Sequence, residues 1–148
     1  MPPSEFPLTG YTVARDQAYR LRGWLRLFEA RSGDYWYLDF RVTVLDPSMS
    51  ARTAIAQEKC DWTFSGPGTT TAKEVSADVI GDGAKACLYT FSEGNSEWVA
   101  YITGTRNVEV MVGGSARSVA LTRTDTINRM ISLARQQIDI INRVAPAR

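Results

Sequence analysis

Between positions 35 and 45, the apolar side chains of Trp36, Leu38, Phe40, Val42 and Val44 alternate with Tyr37, Asp39, Arg41 and Thr43. Successive side chains of a strand point to opposite faces, so this period of two predicts a strand with one buried face. A strand needs partners, and the flanking sequence supplies them. Trp24, Leu25, Leu27 and Phe28 read as a shorter strand, joined to the first by a turn at Ser32-Gly33-Asp34. Residues 84–91 read as a third strand. Residues 98–102 and 108–112 fit an antiparallel hairpin whose loop contains Gly104. A short strand is expected over residues 75–80, ending at the Gly81-Asp82-Gly83 turn.

Two segments read as helices. Asp46-Pro47 is expected to end the long strand and start a helix, with Asp46 capping free N–H groups and Pro47 preset at the first helical position. Ala51, Ala54, Ile55 and Glu58 then share one side, and the helix is expected to end near Cys60. At the other end of the chain, Ile127, Met130, Ile131, Ala134, Ile138 and Ile141 form a stripe at helical spacing, with Thr122 or Thr124 as the cap. Residues 65–71, rich in Gly, Pro and Thr, read as a flexible loop.

The order of elements predicts an α+β fold: an antiparallel sheet of about five to six strands, with a mid-chain helix and a long C-terminal helix packed on one face. Residues 1–22, with Pro2, Pro3, Pro7 and Gly10, read as an extended N-terminal segment. Residues 23–148 read as a single domain, a size at which folding buries about two thirds of the unfolded chain's surface.

Charge and residue usage bound the function. Seventeen basic and sixteen acidic side chains leave a net charge of +1, too weak a field to gather phosphate backbones, so nucleic acid is not an expected partner. No apolar run reaches the roughly 20 residues that span a bilayer. Met1-Pro2-Pro3-Ser4 lacks the basic and apolar regions of a leader, as would a chain starting just after a removed leader or lipid anchor. The absence of histidine removes Ser-His-Asp and Cys-His catalysis and the usual zinc sets, so neither cofactor nor metal is expected. Gly81-Asp82-Gly83-Ala84-Lys85 lacks the spacing of a P-loop and precedes a strand, so it reads as a turn. Arg123, Arg129 and Arg135 are six apart, which turns each by about 240° around a helix and scatters them.

Three sets of side chains remain as candidates. Cys60 and Cys87, with 26 residues between them, are able to form one disulfide that stabilises the fold by about 3 kcal/mol, or to remain two buried thiols. Asp39, with Glu29 or Asp34, is a candidate acid–base pair, although its place on the polar face of its strand predicts a solvated charge. Among the aromatics, Trp36 and Trp98 are expected in the core. Tyr35 and Tyr37 are expected on the opposite face, where with Asp39 and Arg41 they make the candidate ligand-binding surface.

A family resemblance adds to this reading. Cys60 at a helix end, Cys87 in a strand, Val79-Ile80-Gly81-Asp82-Gly83-Ala84, Asn107-Val108-Glu109-Val110, and Ala134-Arg135-Gln136-Gln137-Ile138 in the closing helix resemble exported bacterial lipoprotein and sensor-like domains. These include the extracellular sensor domains of mycobacterial serine/threonine kinases, and the resemblance spans roughly residues 45–145. It implies an extracytoplasmic domain, secreted or membrane-anchored, that binds a small molecule or protein partner through a sheet cleft and brings no catalytic residues. The alternatives are a small cytoplasmic enzyme or isomerase using Asp39, Glu29 or Tyr37 on an apolar ligand, and an assembly protein that buries an aromatic face against a partner.

Overall fold

The computed structural model of the chain describes residues 10–18, 22–30, 34–62, 70–92, 96–116 and 122–144. Seven strands and two helices follow in the order β1 (Thr12–Ala18), β2 (Gly23–Glu29), β3 (Tyr35–Val44), α1 (Ala51–Gln57), β4 (Thr70–Val75), β5 (Ala84–Phe91), β6 (Glu97–Thr105), β7 (Val108–Ala116) and α2 (Arg123–Val144). The fold is α+β, as expected, with seven strands in one antiparallel sheet ordered β1-β2-β3-β7-β6-β5-β4. Two meanders build it. The first runs from β1 to β3; the chain then crosses through α1 to the far edge, and the second walks back from β4 until β7 closes on β3. The extra strands lie at the two edges: β1 falls within the expected extended N-terminal segment, and β4 within and beyond the expected loop.

The alternation in each strand sorts the core into two layers. Leu38 and Phe40 of β3, Leu88 of β5, Val99 and Tyr101 of β6, and Val110 and Val112 of β7 share one face with Met130, Ala134, Ile138 and Ile141 of α2. The opposite residues, Cys87 and Tyr89 of β5, Trp98, Ala100 and Ile102 of β6, and Met111 of β7, pack beneath Ala51 and Ile55 of α1. The long helix therefore covers one face, and the mid-chain helix, expected beside it, lies on the other, because the alternate residues of β5, β6 and β7 are apolar as well and need a cover of their own. Covered on both sides, β6 is buried from Trp98 to Gly104. Gly104 lets α1 approach, since a Cβ there would stand 2.6 Å from that of Ala51.

Local chemistry shifts several boundaries. Helix α1 begins at Ala51 rather than near Pro47, because Ser50 is its cap, accepting from the Thr53 N–H at 3.2 Å. Asp46 instead closes a turn, taking the Ser48 N–H at 3.0 Å and the Ser48 hydroxyl at 2.7 Å. Helix α2 opens with a reciprocal cap: Asp125 N–H donates to Thr122 Oγ1 at 3.0 Å, and Thr122 N–H donates to Asp125 Oδ2 at 2.9 Å. The strand expected over residues 75–80 is not there. Val75 ends β4, and the carbonyls that follow are taken by buried side chains, Asp78 by the Tyr101 hydroxyl at 2.6 Å and Ile80 by Thr103 Oγ1 at 2.8 Å. Thr70 and Thr71 of the expected loop begin β4, and residues 65–69 lie outside the described residues.

The β6–β7 hairpin turns on Arg106 and Asn107, with Arg106 left-handed at φ 55°. Its amide donates to Asp82 Oδ2 at 2.6 Å, its carbonyl takes the Ala51 N–H at 2.7 Å, and the Asn107 carbonyl takes the Leu45 N–H at 2.7 Å. One turn thus ties together the Gly81-Asp82-Gly83 turn, the end of β3 and the start of α1.

Candidate functional site

Strand β3 carries the candidate residues, and its register decides which of them meet. The pairing of β3 with β7 slips between Tyr35 and Tyr37, so that Tyr35 faces Ala116 and Tyr37 faces Ser115. This bulge inverts the expected roles at the start of the strand. Trp36, expected in the core, is 46% exposed, while Tyr35, expected on the outer face, is 5% exposed in the α2 layer. Tyr35 hydrogen-bonds Thr126 at the start of α2, and burial raises its hydroxyl above the ordinary tyrosine value. It is a core residue, separated by the sheet from the other three.

Tyr37, Asp39 and Arg41 do form a column on the α1 side of β3. Asp39 is not the solvated charge its position predicts; it is 7% exposed. Its neighbours in register are Leu27 and Gly113, and Arg41, two residues along the same face, closes over its carboxylate. Arg41 Nη2 donates to Asp39 Oδ2 at 2.7 Å, and Nε stands 3.2 and 3.3 Å from the two oxygens. Of the two carboxylates considered with Asp39, Glu29 lies diagonally from it across the β2–β3 pairing. Glu29 is exposed and faces Tyr37, and Asp34 precedes the strand.

Beside this column lies an aromatic shelf. Gly113, in register with Asp39, has no side chain, and the indole of Trp98 fills the space; a Cβ on Gly113 would stand within 2.7 Å of Trp98 Cε2. Trp98, which is buried as expected, tilts against Tyr89 at 5.6 Å between ring centroids. Trp62 stacks on Tyr89 at 6.0 Å and 22°, tilts against Trp98 at 6.0 Å, and receives the Arg41 guanidinium 5.6 Å from its ring. Burial raises the Tyr89 hydroxyl as well. The result is a continuous run from Asp39 through Arg41 and Trp62 to Tyr89 and Trp98, with the half-exposed Tyr37 at its end.

The segment after α1 places Trp62. The Lys85 ammonium donates to the Glu58 carbonyl at 2.5 Å, and the Trp62 indole N–H donates to Glu58 Oε1 at 2.8 Å. Cys60 and Cys87 form a disulfide, with 5.4 Å between their Cα atoms. Glu58 also lines an open cleft of about 370 Å³, walled by Leu45, Met49 and Ala54 and flanked by Lys59 and Glu109. Neither Trp62, one of the chain's many aromatics, nor Glu58, expected on one side of the mid-chain helix, stands among the site residues the sequence predicts. One signal was present: Trp62 lies two residues after Cys60 and Tyr89 two after Cys87, so bridging the cysteines brings the rings together.

Asp39 is engaged by a guanidinium, and the groups with surface left to solvent are the half-exposed Tyr37 phenol, the edge of the Arg41 guanidinium and the partly buried Trp62 indole, side chains able to meet flat or polar surfaces. Among the described residues no three or more Cys, Asp or Glu side chains gather to hold a metal ion, and no helix is long and apolar enough to cross a membrane. The chain matches no protein-family model, no curated protein and no solved structure.

Proposed function

We propose that this chain is a non-catalytic, extracytoplasmic binding domain that takes a small molecule or a protein segment on the β3 column of Tyr37, Asp39 and Arg41 and the adjoining Trp62 shelf. The observation that carries the reading is Arg41, held between the Asp39 carboxylate and the Trp62 ring at the margin of the part of the sheet that α1 covers. Both partners fix the guanidinium, so little side-chain entropy is lost when a ligand meets it, which is how a binding site gains affinity. Aromatic and Arg side chains of this kind are also those enriched at recognition surfaces. The disulfide fits an oxidising compartment, where such bonds persist.

The test is a ligand screen read by amide and indole NMR, using carbohydrates, short peptides and aromatic acids as probes. The expected result is saturable shifts clustered at Tyr37, Arg41 and the Trp62 indole, abolished by Arg41→Ala in a protein that remains folded. Conversion of a probe to product by the protein would overturn the non-catalytic reading and move the acid–base alternative into its place. Saturable shifts confined to another surface would overturn the assignment of the site.

A further inference from the structure

The disulfide stands at the foot of the Trp62 shelf. Cys87 has no exposed surface and lies in β5, whereas Cys60 is half-buried in a segment that is neither helix nor strand. Helix α1 ends at Gln57, and residues 58–62 carry the chain from there to the site. Tyr89 projects from the same face of β5 as Cys87, so a bond at Cys87 delivers Trp62 to Tyr89 and, through it, to Arg41. Besides the bond, the strap is attached to the sheet by the Lys85 bond to the Glu58 carbonyl, by a hydrogen bond between the Tyr89 hydroxyl and the Trp62 backbone, and by the packing of Cys60 and Trp62 on the α1-side core. None of residues 58–62 lies in a helix or strand, and ordering each of their backbones costs about 1–2 kcal/mol, which without the bond only these side-chain contacts oppose.

We infer that the β3 site is assembled by oxidation: formation of the Cys60–Cys87 bond seats Trp62 against Tyr89 and Arg41, and with both cysteines as thiols the strap stands away and the site is incomplete. This rests on the binding role proposed above. The co-reactant is a disulfide-bearing oxidant. The Cys60 thiolate, the more exposed of the two, attacks one sulfur of the oxidant and expels the other as a thiolate. The Cys87 thiolate then attacks Cys60 Sγ and releases the second thiolate of the oxidant. Two electrons pass from the cysteine pair to the oxidant, and the two protons lost by the cysteines are taken up by its thiolates. With Cys87 enclosed, a reducing thiolate has Cys60 Sγ as its point of attack, so the site is completed in an oxidising compartment and opened by a reductant.

The experiment follows the Trp62 indole N–H, assigned by Trp62→Phe, in the full chain oxidised by oxidised glutathione, reduced by dithiothreitol, and as the Cys60→Ser/Cys87→Ser variant. The expected result is a dispersed, folded amide spectrum in all three. In the two forms without the bond, the Trp62 indole loses its ring-current shift and its exchange rate rises by about tenfold or more, as for a locally opened segment; reoxidation reverses both. A Trp62 indole that keeps its shift and protection without the bond overturns the inference. So does global loss of dispersion on reduction, which would make the bond a staple of the whole fold. No ligand enters this readout, so a failure of the binding role and a failure of the strap are told apart.

Discussion

Replacing Arg41 with alanine removes the guanidinium that closes over a carboxylate 7% exposed to solvent. The two side chains are 24% and 10% exposed, between a surface pair, worth about 0–1 kcal/mol, and a buried one, whose breakage costs about 3–5 kcal/mol. Loss of the contact with Trp62 adds about 0.5–1 kcal/mol. Arg41→Ala is therefore expected to destabilise by about 3 kcal/mol, Asp39→Asn by about 2 kcal/mol, and the double variant by about 3 kcal/mol, so that about 2 kcal/mol of the singles is shared. At about 2–4 °C per kcal/mol for a chain of this size, Arg41→Ala lowers Tm by about 6–12 °C. The assay is urea unfolding followed by far-ultraviolet circular dichroism with the disulfide intact. If the singles add to within about 0.5 kcal/mol, the pair behaves as separate surface charges and the argument for a fixed Arg41 fails.

Three further outcomes are expected. Gly113→Ala places a methyl group against the Trp98 indole and should cost about 1–3 kcal/mol, with an altered near-ultraviolet dichroism spectrum; an unchanged spectrum and midpoint would mean that Trp98 does not lie over Gly113. Thr103→Val deprives the Ile80 and Gly83 carbonyls of a buried hydroxyl donor and should cost about 1–2 kcal/mol, whereas Thr103→Ser, which keeps the donor, should cost less; equal losses would refute the role of the hydroxyl. Stability should fall at both ends of the pH range. Hydrogen bonds to Arg26 and Trp24 hold Asp16 below its usual value, bonds from Ser48 lower Asp46, and bonds from Thr122 lower Asp125. Their stabilisation is complete above about pH 4 and is lost as pH drops through the lowered values. Burial raises Tyr35, Tyr89 and Tyr101, so theirs is complete below about pH 10 and is lost as pH climbs through the raised values. Thermal melts across pH check both limbs; an acid limb unchanged by Asp16→Asn, Asp46→Asn and Asp125→Asn together would refute the first.

What was legible in the chain was local. The alternation of β3 from Leu38 onward, the Gly81-Asp82-Gly83 turn, the β6–β7 hairpin and the apolar stripe of α2 each depend on neighbours within a few residues, and they were enough for an α+β sheet with a long closing helix. The candidate site was half legible: alternation groups Tyr37, Asp39 and Arg41 on one face, and they share it. Caps were less secure, because Asp46 and Ser50 are both able to take a free N–H and the choice between them depends on where the Arg106 carbonyl holds Ala51.

The remainder came from contacts between residues distant in the chain. Alternation says which side chains share a face but not which face is covered, so it could not place α1 opposite α2 or tell that Asp39 would lie beneath its own Arg41. The bulge that buries Tyr35 and turns Trp36 outward is a property of β3 paired with β7, not of β3. Trp62 meets Arg41 where a disulfide joins the segment after α1 to the second strand of the second meander, a contact between residues far apart in the chain. Periodicity is a local rule. Burial, register and the seating of Trp62 are decided where segments far apart in the chain compete for the same surface.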